Sequence, residues 1–183
     1  MRFAISGAQG VGKSTLIKEL QAQPDLIEGC VLITEIVRTL AAQGIKINKG
    51  ADHKSQMIIL EEHYKNTLRH DKMITDRCAL DAFTYATWDY LNGAYTYEQH
   101  KEHEAIFLDT IKNYDLIFYI APEFEIVNDG FRSTDATYQK EIHELFLKAI
   151  RKYNLRVMAI SGSVEDRMEK LRYGIHQFQT GGK

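Results

Sequence analysis

The chain has 183 residues, 44 % hydrophobic and 26 % charged, with 2 Pro, which suits a single globular domain able to bury about 70 % of its unfolded surface without staples. Basic and acidic residues nearly balance, 23 against 25 for a net charge of −2, so no global charge favours nucleic acid or a membrane surface, and neither partner is expected. No apolar run approaches the roughly 20 residues of a bilayer span, and too little apolar length precedes the first glycine for a signal peptide, so a cytoplasmic location is expected.

Short apolar runs alternate with stretches of helical spacing, the pattern of βαβ units around a parallel sheet. Arg2 to Ser6 reads as the first strand, and Lys13 to Gln23 as a helix ended by Pro24. Cys30 to Thr34 is the second strand. His53 to Arg69 is a long helix with Met57, Leu60, Tyr64 and Leu68 on one face. Lys72 to Thr75 is a strand, followed by Asp76-Arg77 and a helix through Trp88. The stretch Asn92 to His103 reads as an exposed connection whose two histidines are solvated, and Glu98 to Asn113 as a helix. Leu116 to Ile120 is a buried strand. Asp135 to Tyr153 is an amphipathic helix with Ile142, Leu145, Phe146, Ala149 and Tyr153 as its core stripe. Arg156 to Ile160 is the last strand, and Val164 to Tyr173 the last helix. Five strands with their crossovers give an α/β domain over residues 1–175, and residues 176–183 are expected to form a flexible tail. Cys30 and Cys78 lack metal-ligand spacing, fit a reducing compartment and read as small buried hydrophobes.

Between the first strand and first helix stands GAQGVGKS, Gly7 to Ser14, which fits G-x-x-x-x-G-K-[ST] in its confirming context. The glycines let successive N–H groups turn toward phosphate oxygens, and the helix N-terminus adds its dipole. Gly7, Ala8, Gln9, Gly10, Val11, Gly12, Lys13, Ser14 and Thr15 are therefore the expected ATP cradle. Lys13 bridges the β- and γ-phosphates, Ser14 ligates Mg²⁺, and Thr15 packs or caps.

A phosphate cradle does not name a reaction; the carboxyl ends of the other strands must do that. Glu35 and Arg38, in ITEIVR, are placed to orient an acceptor hydroxyl and an anionic acceptor group, or to form a surface pair. In MITDRCALD, Asp76 suits a carboxylate near Mg²⁺, Arg77 points into the same cleft, and Asp81 caps a helix or binds acceptor. The polar stretch 128–135, NDGFRSTD, has the character of a lid, with Arg132 closing on the transferring group. Gly162, Ser163 and Val164 follow the last strand, where backbone groups approach an adenine base. Arg167 stacks on that base or pairs with Glu165, Asp166 or Glu169. The aromatic run Phe83, Tyr85, Trp88 and Tyr90 is a base-stacking face or, for most of its members, core.

This succession, with E-x-x-R, D-R, D-G-x-R and S-G-S-x-E-x-R after the P-loop, resembles the P-loop nucleoside and nucleotide kinases over nearly the whole chain. It looks most like the phage-type AAA-domain kinases related to nicotinamide-riboside kinase and thymidylate-kinase-like proteins. The resemblance implies a three-layer fold with a five-stranded parallel sheet flanked by helices. It further implies transfer of the ATP γ-phosphate to a (deoxy)nucleoside monophosphate with Mg²⁺, in the host cytoplasm if the chain is phage-encoded. By the same resemblance Asp76-Arg77 match the acceptor-site pair, Arg132 the lid arginine, and Glu35 the base of deoxynucleoside kinases. Ile36 stands where a Pro often follows that base, Cys78 where relatives carry Tyr or Ser, and the lid has one Arg. Small kinases of this shape are often dimers, so a homodimer is a candidate assembly. The alternatives are a nucleoside or nicotinamide-riboside-like kinase using Glu35 as base, a non-kinase ATPase or nucleotide-binding regulator, and a kinase of modified bases in DNA.

Overall fold

Five short strands carry the β-branched and aromatic runs of the sequence: β1 Arg2–Ser6, β2 Val31–Ile33, β3 Met73–Asp76, β4 Leu116–Ile120 and β5 Val157–Ile160. They form one parallel sheet in the order β2-β3-β1-β4-β5. The structure, a computed structural model, describes residues 1–34, 36–45, 52–123 and 136–181. Glu35 and Arg132, with the expected lid 128–135, lie outside the described residues. The register sets Ile5 beside Asp76 and Ser6 beside Tyr119. The chain builds outward from β1 to β2 and β3 on one side, then crosses to β4 and β5 on the other, so a crevice opens at the carboxyl end of β1.

Seven α-helices flank the sheet among the described residues: α1 Lys13–Gln21, α2 Ile36–Ala42, α3 His53–Arg69, α4 Ala79–Leu91, α5 Tyr97–Ile111, α6 Ala136–Lys152 and α7 Val164–Gln179. Successive strand side chains face opposite ways. Phe118 packs against Gly174 of α7, whereas its neighbour Tyr119 meets Phe146 of α6. Helices α1 and α7 pack together on the first face, and α3, α4, α5 and α6 form the second group. The expected three-layer α/β architecture follows.

Three elements differ from their sequence expectation. Helix α7 continues to Gln179, through the start of the expected tail. Its continuation is held by Ile175, 1 % exposed, and by Phe178, which meets Phe3 edge-on at 5.4 Å. The buried face of α3 carries Gln56, Ile59, Leu60, His63 and Thr67, while Leu68 is 64 % exposed. The apolar stripe was therefore the wrong guide to that helix, because its polar residues turn inward. Finally, Thr96 caps α5 in a capping box with Gln99, and His103 is buried rather than solvated, stacked on Tyr95 at 5.4 Å. No described helix is long and apolar enough to cross a membrane.

Candidate active site

The phosphate loop is built by backbone constraint. Gly7, Gly10 and Gly12 adopt φ of 149°, 75° and 91°, and a Cβ on Gly7 would meet the Ile120 carbonyl oxygen at 2.4 Å. Only glycine lets β1 turn that closely over β4. The turn reverses into α1 with Lys13 buried at its start, where its ammonium donates to the carbonyls of Gly7 (2.5 Å) and Ala8 (2.6 Å). Ser14 is half-buried and Thr15 exposed on the same turn. Two side chains from distant elements brace the loop. Gln139 of α6 donates to the Gln9 carbonyl at 2.7 Å. Arg167 of α7 donates to the Val11 carbonyl at 2.7 Å and pairs with Glu123 at 3.3 Å. Arg167 is thus a brace of the loop and pairs with Glu123.

A small cleft beside the loop is the candidate acceptor side. Val37, Ile59 and Ala82 give it apolar walls, and Gln56, His63, Arg77, Asp81 and Tyr85 give it polar groups. Arg77 reaches it from a strained turn: its φ is 70°, and its carbonyl accepts from the Thr75 hydroxyl at 2.9 Å. A positive φ outside glycine costs of order 1–3 kcal/mol and persists where surroundings enforce it. Asp81 is buried and fully engaged. It accepts from the Ser6 hydroxyl (2.7 Å) and the Cys78 N–H (3.0 Å), and its other oxygen lies 3.4 Å from the Arg77 guanidinium. Burial raises the Asp81 pKa against the opposing pull of Arg77. Burial also works against the Arg77 charge, but Tyr85, Asp81 and Asp76 outweigh it and leave the pKa raised. The Tyr85 hydroxyl donates to the Gln9 side-chain oxygen at 2.8 Å, joining the cleft to the phosphate loop.

The donor set fits a hard divalent cation. Asp76 ends β3 one strand from the loop, and its Oδ1 is buried without a hydrogen-bond partner among the described residues. An orphaned carboxylate oxygen with the Ser14 hydroxyl on the neighbouring element is the oxygen-rich chemistry Mg²⁺ takes.

Residues 2–167 match the family model of an AAA domain. The chain belongs to that family. No curated protein matches the sequence. Among solved structures, a NadR protein in complex with NR superposes with a TM-score of 0.71 at 18 % identity, covering 98 % of this chain and 50 % of that one. Deoxyadenosine kinase from M. mycoides, with dCMP and dCDP bound, gives 0.70 at 16 % identity over 97 % of this chain and 100 % of that one. YorR protein from Bacillus subtilis, in complex with phosphorylated GDP, gives 0.61 at 16 % identity over 98 % of both. The chain thus spans half the length of the NadR protein and the full length of the other two. At these identities the likeness is one of fold.

The remaining expected residues of this AAA-domain chain divide clearly. Arg38 is exposed on α2, and that helix contributes Val37 to the cleft instead. Gly162 has φ 95° and donates its N–H to Glu123 at 2.9 Å; Ser163 caps α7, with Val164 as the first helical residue. Of the aromatic run, Tyr85 lines the cleft. Phe83 stacks on Phe107 at 4.4 Å, Trp88 donates to Glu141, and Tyr90 stacks on His100. Sequence reasoning missed Gln56 and His63. Their seven-residue separation, two helical turns, was the available signal, but an apolar periodicity does not register it.

Proposed function

We propose that the protein is an ATP-dependent phosphotransferase whose acceptor is the sugar hydroxyl of a nucleoside. The expectation of a monophosphate acceptor rested on Arg38 and Arg77 as two phosphate ligands. One observation supports the neutral acceptor instead: the Arg77 charge is matched by Asp81 at 3.4 Å, and the other described lining groups of the cleft are uncharged. A cleft with internally balanced charge favours a neutral guest, since an anion would have to compete with a carboxylate for the guanidinium.

In the reaction, the acceptor oxygen bonds to the γ-phosphorus as its bond to the β,γ-bridging oxygen breaks. ADP leaves, and the hydroxyl proton passes to a base. The resemblance assigns that base to Glu35, an assignment that stands as part of this proposal. Lys13 and the N–H groups of the loop oppose the charge on the phosphates. Mg²⁺, when bound at Ser14 and Asp76, supplies further charge neutralisation at the phosphate oxygens. The test is incubation with Mg·ATP and a panel of nucleosides and nucleoside monophosphates, with the products resolved. A phosphorylated nucleoside is expected. ATP loss without any phosphorylated acceptor would sink the kinase reading.

A further inference from the structure

One side chain of the cleft has no hydrogen-bonding task in the fold. His63 of α3 is 1 % exposed and lines the cleft, yet among the described residues neither ring nitrogen has a hydrogen-bond partner. Buried polar atoms are nearly always paired, because an orphan forfeits its bonds to water. An unpaired imidazole on the wall of a pocket therefore points to a ligand that completes it. Gln56 stands two turns earlier on the same helix, is 4 % exposed and lines the same cleft.

We propose that His63 is the specificity-determining residue of the acceptor site, reading the hydrogen-bonding edge of an uncharged heterocyclic base, with Gln56 as a second contact. The chemistry of the wall agrees. Burial, reinforced by Arg77, pushes the His63 pKa down to about 3, so the ring is neutral at physiological pH and presents one donor and one acceptor. The Gln56 amide also offers both. Donor beside acceptor is the pattern of a nucleobase edge, whereas a carboxylate or phosphate presents acceptors alone. Val37, Ile59 and Ala82 supply apolar surface for the faces of a flat ring. This assignment rests on the cleft being the acceptor site of the proposed phosphotransferase.

Calorimetric binding tests it directly, using the four natural deoxynucleosides and the base-free sugar 1,2-dideoxyribose. The wild-type chain is expected to bind at least one deoxynucleoside about tenfold or more tightly than the base-free sugar. His63→Phe should erase that preference by at least about tenfold, one lost buried hydrogen bond or more, while leaving ATP affinity and sugar affinity unchanged. His63→Gln, which retains a donor and an acceptor at altered spacing, should bind nucleosides but reorder the preference among bases. If the Phe variant does not fold, the Gln variant decides. A wild-type chain that binds no nucleoside more tightly than the sugar overturns the assignment, as does a variant with the base ranking unchanged. Nucleosides that bind in this pattern but are not phosphorylated would support the base reader and remove the kinase reading, so the two fail separately.

Discussion

Replacing Asp81 by Asn keeps the shape of the side chain and removes the charge on which the cleft is organised. The carboxylate is 2 % exposed and accepts from Ser6, from Cys78 and from Arg77. An amide has one acceptor oxygen. If that oxygen faces Ser6 and Cys78, an NH₂ group faces the guanidinium, donor against donor. If the amide flips, the NH₂ group faces the Cys78 N–H instead. Either way one donor is orphaned and Arg77 loses its counter-charge. Breaking a buried pair by removing one member costs about 3–5 kcal/mol. The Arg77 side chain keeps 17 % exposure and some access to water, which sets the expectation below that range, at about 2–3 kcal/mol. At roughly 2–4 °C per kcal/mol for a chain of this size, the midpoint should fall by about 4–12 °C. Calorimetric melting measures the loss, and urea titration with an unchanged m-value shows that the native state kept its compactness. The freed guanidinium should also improve use of a nucleoside monophosphate relative to the nucleoside by about tenfold, the scale of one charge-assisted contact. A midpoint within about 2 °C of wild type would refute the claim that Asp81 holds the site together.

Three further outcomes follow from the same geometry. His63 and His103 are buried with pKa values pushed down to about 3 and about 4, chiefly by burial; the unfolded chain binds both protons near pH 6.5, so stability is full above about pH 7 and falls on acidification, by about 2 kcal/mol per ring at pH 5. Urea melts at pH 7.5 and 5 check this, and His63→Gln with His103→Gln should flatten the difference; equal wild-type stability at both pH values would contradict it. Gly7→Ala forces a Cβ onto the Ile120 carbonyl at 2.4 Å with φ at 149°, and should weaken ATP binding at least about tenfold, whereas an unchanged calorimetric Kd would contradict the loop geometry. Arg167→Leu removes the bond to the Val11 carbonyl and should raise the KM for ATP by about tenfold, the scale of a charged hydrogen bond, without moving the KM for the acceptor; equal changes in both would deny its role as a brace of the phosphate loop.

The phosphate loop was legible because its glycines, lysine and serine have fixed spacing and local causes: a strand, a turn that only glycine makes, and a helix start. The five strands were legible because buried parallel strands read as uninterrupted runs such as Leu116–Ile120. What escaped was set by long-range packing. Gln56 and His63 fall on the face of α3 that turns to the cleft, while the apolar Leu68 on the expected face is left to solvent. The braces on the loop come from Gln139 and Arg167, 130 and 156 residues from the groups they hold. Arg38 is exposed on α2 while Val37 lines the cleft, because a place after β2 in sequence does not fix which side of α2 faces it.

In the proposed function the cleft takes a neutral nucleoside because the charge of Arg77 is matched by Asp81 within the fold. The most direct measurement is the ratio of kcat/KM for each deoxynucleoside to that for its own 5′-monophosphate, under Mg·ATP. A ratio of about ten or more for the preferred base is expected, since a phosphate entering the cleft would have to displace a charge-assisted contact. A ratio below one, with the monophosphate as the better acceptor, would contradict the account.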